Sequence, residues 1–296
     1  MEKDYKHTME YCADWKKNSG ALGFKMHNDY LFRALLQSDE HTLKFIIASA
    51  MGRDADEIHD IVVTNPILLG DSVDDKEIHL DVKTYVEYEK EKYKIINLEM
   101  QIVRHKGWTE RSVLYVCRAY DSMVHGSMYA GATGVWQVSF CDFALFPDEP
   151  VFFSDFMLLN TKNTSQVYTD KIRISSINLR ATELASEEDR RNGLVLWARL
   201  FKAESWEELK MLAQENTVVD QTISSVWQLT QDRAIREQMQ RREENELLWE
   251  SMKKDAEEGR KIKREAAEKE RQMLDIMNQK DSEIAELKKR IKELEG

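Results

Sequence analysis

The chain has 296 residues, 42% of them hydrophobic, which is enough for one large or two medium domains with a real core. Its formal net charge of −11 excludes a surface that is basic throughout, so a nucleic-acid partner must meet a local patch, with metal ions offsetting acidic groups. No apolar run approaches the roughly 18 residues of a membrane span, and the stretch up to Lys17 carries no signal-peptide core, so a cytoplasmic chain without membrane contact is expected.

In chain order, residues 1–27 read as a polar, partly helical leader. Asn28 and Asp29 stand before an apolar run, as a helix N-cap does, and open a helix. Leu31, Leu35, Phe45 and Ile46 fit its apolar face, and residues 43–51 continue as a second helical piece. The apolar run 58–69 contains Pro66, which predicts an edge strand or a strand end.

Residues 77–103 read as a β-hairpin around the charged segment 89–92. In the second arm Ile96, Leu98, Met100 and Ile102 share an apolar face that packs inward, while Asn97, Glu99 and Gln101 share the other. In the first arm His79, Asp81 and Lys83 lie opposite Ile78, Leu80 and Val82. A carboxylate within an apolar run is costly unless it has a partner or a metal. With a loop of three or five residues Asp81 falls directly across from Glu99, their Cβ atoms about 5 Å apart, and one divalent cation bridges both. The plainer alternative is a solvated sheet face on which carboxylates sit opposite lysines.

A long helix follows over 109–130, with Arg104 before it, Arg111 and Arg118 on it, and Gly131 and Gly134 ending it. Strand-like runs occupy 135–146, 151–160 and 166–179, and from Thr182 the pattern is helical. Leu194, Trp197, Ala198 and Phe201 mark one amphipathic helix and 206–213 another; Trp197, Trp206 and Trp227 read as core. Cys12, Cys117 and Cys141 show neither zinc-ligand nor disulfide spacing. Beyond about 249 the helix carries heptads. Their apolar seam is confined to the last three, with Ile284 and Ile291 at a and Leu287 and Leu294 at d, a pairing that favours parallel dimers.

Six segments, in this order and spacing, resemble a known family: NDYLFRALL (28–36), IHLDVKTY (78–85), INLEMQ (96–101), ERSVLYVCRAYDSMVHGSMYAG (110–131), VSFCDFALFP (138–147) and KIRISSINL (171–179). The chain is similar to the PD-(D/E)XK nuclease superfamily, and within it to the Rpn-type recombination-promoting nucleases and putative transposases. The resemblance implies an α/β fold, a restriction-endonuclease-like core of mixed β-sheet flanked by helices, here with a helical C-terminal extension ending in a coiled coil. The domains expected are a leader 1–27, a nuclease-like domain 28–180, a helical subdomain 181–248 and a long helix or coiled coil 249–296.

The resemblance also implies Mg2+-dependent endonucleolytic hydrolysis of DNA, with Mn2+ as a substitute, in transposition, recombination or defence. Asp81 matches the motif aspartate and Glu99 the acidic residue of the second strand, so these two are the metal ligands implied. Asp29 matches an acidic residue opening the first helix. Gln101 stands where the superfamily most often has lysine; an amide orients water but carries no charge. Lys83, on the face of Asp81, is the candidate to supply that charge, and Arg104, His105 and Arg111 are candidate phosphate contacts. A homodimer through the coiled coil would bring two sites to the two DNA strands. The alternative function is a catalytically inactive DNA-binding or coiled-coil scaffold protein, to which Gln101 and the net charge lean. RNA in place of DNA is a further alternative.

Overall fold

The structure is a computed structural model that describes residues 9–64, 82–89, 92–104, 107–124 and 134–294. The chain divides into two compact units, 1–243 and 244–296.

The first unit is built on a six-stranded mixed sheet flanked by helices, a restriction-endonuclease-like α/β fold. The strands are β1 (Asp60–Val63), β2 (Val82–Glu89), β3 (Lys92–Gln101), β4 (Gly134–Cys141), β5 (Phe153–Asn160) and β6 (Asn163–Asn178), in the order β1-β2-β3-β4-β6-β5. β3, β4 and β6 run parallel, and the other pairs are antiparallel. β1 is an edge strand, as the proline after it led one to expect; Pro66 itself lies outside the described residues.

The hairpin register is regular. Val82 pairs with Leu98, Lys83 with Asn97 and Thr84 with Ile96, and the pairing continues without slippage to Glu87 opposite Tyr93. Its alternation sorts side chains to two faces. Val82 and Val86 join Ile96, Leu98 and Met100 on one face, continued on β4 by Trp136, Val138 and Phe140, all buried. Against that face lie α1 (Asp29–Ser38) and α5 (Leu194–Lys202), and α2 (Glu40–Met51) and α7 (Thr217–Gln231) pack on α1, their apolar sides completing the main core. Phe32, Phe140 and Phe201 meet edge to face there, with centroids 5.2 to 5.7 Å apart. This unit also holds α4 (Glu187–Arg191), α6 (Trp206–Glu215) and the start of α8 (Arg233–Leu294).

The middle of the opposite face is not solvated, although Val62 and Tyr85 towards its β1 edge are exposed. It is covered by α3 (Trp108–Val124), which links the parallel strands β3 and β4 and packs Val116 onto Ile95 and Val135. A parallel pair requires such a crossover, and a helix is its usual form. Residues 125–133 lie outside the described residues. The described helix ends at Val124, and Gly134 is the first residue of β4 rather than a helix stop. A Cβ at Gly134 would come 3.3 Å from Lys94 Cε, the far end of a flexible side chain, and make ordinary contact with the Lys171 backbone at 3.6 Å. Gly131 lies outside the described residues.

Residues 9–27, read from the sequence as a leader, belong to this unit. Trp15 sits fully buried in a 3-10 turn (Ala13–Lys17), the Cys12 amide donates to Ser224 Oγ of α7, and Ala21 bridges Ser205. Trp197 and Trp206 are core, and Trp227 packs partly buried against it.

The second unit is the continuation of α8, a single helix of 62 residues from Arg233 to Leu294. Among the described residues no helix is long and apolar enough to cross a membrane.

Candidate functional site

Under α3 a polar row crosses the middle of the sheet. Asn97, Glu99 and Gln101 of β3 point to this face. On β4, Gln137 pairs beside Asn97, Ser139 beside Glu99 and Cys141 beside Gln101; on β2, Lys83 pairs beside Asn97. Lys83 is therefore the diagonal neighbour of Glu99, about 7–8 Å away along the sheet.

Glu99 is 3% exposed and is held by side chains from three elements. Arg111 Nη2 of α3 donates to its Oε1 at 2.8 Å, and Gln101 Nε2 donates to the same oxygen. Gln137 Nε2 donates to Oε2 at 3.0 Å. Gln137 is itself oriented, because Asn97 Nδ2 donates to its Oε1 at 2.6 Å. A buried carboxylate must be met by donors or charge, and every donor here is a long side chain on a regular element. Arg111 reaches the sheet because α3 begins directly after Gly107, which takes φ +81° and accepts the Arg111 amide through its carbonyl at 3.0 Å. The guanidinium also lies 5.8 Å from the Tyr115 ring centre.

The structure thus brings Glu99, Gln101 and Arg111 into contact and places Lys83 on the same face. Of the remaining candidates, Arg104 and Asp29 are among the described residues. Arg104 is exposed beyond the end of β3. Asn28, not Asp29, is the N-cap of α1: its side chain accepts the amides of Tyr30 and Leu31. Asp29 occupies the first turn, accepts the Tyr30 amide at 2.7 Å and faces Arg242 of α8 at 3.9 Å. Asp81 and His105 lie outside the described residues.

Gln137 and Ser139 are site residues that the sequence reading passed over. Their signal is the one that singled out Glu99, polar side chains alternating with buried apolar ones along a central strand. Cys141, in the same row, is no nucleophile at neutral pH, because burial pushes its thiol up to about 12.

Two tests bear on a divalent cation. In kind, Glu99 offers the carboxylate oxygens that a hard ion such as Mg2+ takes, while Gln101 and Gln137 turn their amide nitrogens and Arg111 its guanidinium toward it. In number, no group of three His, Cys, Asp or Glu side chains that could hold a metal occurs among the described residues. Oε1 receives Arg111 and Gln101, and Oε2 receives Gln137.

Residues 26–257 match the family model of the PD-(D/E)XK nuclease family transposases. No curated protein matches the chain, and no solved structure does.

Proposed function

Because the chain belongs to the PD-(D/E)XK nuclease family transposases, we propose that it is a metal-dependent endonuclease that hydrolyses DNA phosphodiesters, in transposition or recombination, in the cytoplasm. The observation that carries the reading is Glu99, a buried carboxylate held in fixed orientation on a central strand by Arg111, Gln101 and Gln137. With Asp81 it would hold Mg2+ or Mn2+; the reading requires the hairpin register of Val82 to Glu87 to run one residue further. When bound, such an ion polarises the phosphoryl oxygen and lowers the pKa of a water.

The chain's own side chains would do the rest. Gln101 and Gln137 hold the two oxygens of Glu99 so that the carboxylate does not rotate. Lys83 supplies the positive charge that Gln101 lacks, at the developing charge on the phosphate. Arg111 contacts a phosphate oxygen and Arg104 a flanking one. Asp29, engaged with its own helix and with Arg242, holds α1 rather than taking part in the reaction.

A second reading is favoured by the same contacts. A carboxylate met by one cation and two amides is satisfied without a metal, as a structural tie between α3 and the sheet. On that reading the protein is a non-catalytic DNA-binding or scaffold protein. Nicking of supercoiled plasmid with Mg2+ or Mn2+, with RNA offered in parallel, separates the two. The nuclease reading expects cleavage of DNA that Asp81→Ala and Glu99→Ala each abolish. A folded wild-type protein that cuts nothing overturns it.

A further inference from the structure

The last part of α8 carries an apolar stripe made for another helix. Met273, Met277, Ile284, Leu287 and Ile291 are all exposed, though they recur at the a and d spacing of a heptad and run along one side of an uninterrupted helix. An exposed stripe of this kind costs free energy in water and is covered in whatever assembly the chain forms.

We propose that residues 273–294 form a parallel, in-register, two-stranded coiled coil with a second copy of this chain. Two features of the sequence commit the stripe to that occupant. The first is core shape: Ile at a with Leu at d is the combination that favours parallel pairs. The second is charge. In a parallel pair each g residue meets the e residue of the following heptad on the other helix. Here Glu283 meets Lys288, opposite in sign, and twice by symmetry. The chain is complementary to itself in this register.

Two further positions define the extent of the coil. Lys263 and Glu270 occupy a positions upstream, where each would face its own copy, like charge against like. The pairing therefore starts near Met273, and the helix before it stays single. Lys280, at a d position inside the coil, lowers its stability and penalises shifted registers that would bury it against an apolar layer. The proposal stands whether or not the first unit cuts DNA.

The test uses the full chain. Sedimentation equilibrium over micromolar to high-micromolar concentration is expected to give twice the chain mass. Leu287→Glu is expected to give a monomer whose thermal unfolding is otherwise unchanged, since the stripe lies outside the first unit. Glu283→Lys alone is expected to weaken dimerisation on the order of tenfold, and adding Lys288→Glu to restore it. Ile291→Cys under mild oxidation is expected to give a peptide linked 291 to 291, because these positions adjoin in a parallel pair and lie about 20 Å apart in an antiparallel one. A wild-type chain that is monomeric at the highest concentration overturns the proposal. So does a dimer that forms no 291–291 link, or one that the second charge change fails to rescue.

Discussion

Arg111 Nη2 lies 2.8 Å from Glu99 Oε1 and ties α3 to the centre of the sheet. The Glu99 side chain is only 5% exposed and that of Arg111 34%, so the carboxylate is desolvated and its cation half in water. Removing one partner of a buried pair costs about 3–5 kcal/mol, and the exposure of Arg111 lowers that to about 1–3 kcal/mol here. Arg111→Ala is therefore expected to lower the urea midpoint with an unchanged m-value. A midpoint equal to wild type would mean that the apolar side of α3 holds it unaided.

If Glu99 is a metal ligand, folding and metal binding are linked. A cation that binds only the folded chain adds about 2.7 kcal/mol when present at a hundred times its dissociation constant. Mn2+ is expected to raise the unfolding midpoint and EDTA to reverse the rise. Glu99→Ala should abolish the response and Gln137→Leu reduce it, since Gln137 holds Oε2. An equal response in wild type and Glu99→Ala would place the ion elsewhere.

Lys83 shares the face of Glu99 one strand away. Loss of a positioned charge at a developing anion costs about 100-fold or more in rate. Lys83→Ala is expected to slow plasmid nicking by about that factor while leaving the melting temperature unchanged, and Lys83→Arg to retain part of the rate. Unchanged nicking by Lys83→Ala would remove it from the mechanism.

His27 gives the first unit a dependence on pH. Burial, and then Lys202, hold its imidazole below its ordinary value of 6.5, against the opposing pull of Asp142 and the Phe201 carbonyl. Nδ1 is 3.1 Å from that carbonyl, to which it donates. The unfolded chain therefore binds a proton more readily than the folded one. The contribution is complete above pH 6.5 and is lost as pH falls from 6.5 towards the lower folded value. Chemical denaturation at intervals from pH 7.5 to 5 should show falling stability, with a shallower slope in His27→Gln; identical slopes would clear His27 of the effect.

Much of this fold is legible in the chain because burial writes itself as alternation. Leu98 and Met100 must be inside, so Glu99 must face the other way, and the hairpin register follows from the same pattern. What covers that other face is not written locally. The apolar residues of α3 fit a helix on any sheet, and only the parallel order of β3 and β4 brings it back over Glu99. Gln137 was missed because glutamine on a strand reads as ordinary polar pairing; its role depends on the neighbouring strand, 38 positions earlier in the chain. Trp15 was missed because one buried anchor does not alter the composition of a polar segment.

That tryptophan has a practical consequence. The match to the family begins at residue 26, whereas the side chain that plugs the first unit against α7 stands at 15. A fragment cut to the family boundaries would lose the Trp15 anchor, the Cys12 bond to Ser224 and the bridge between Ala21 and Ser205. Emptying a tryptophan site in a core costs about 3–5 kcal/mol, a large share of the stability of an ordinary domain. The unit of folding begins upstream of the unit of likeness, and trimming to the latter invites aggregation.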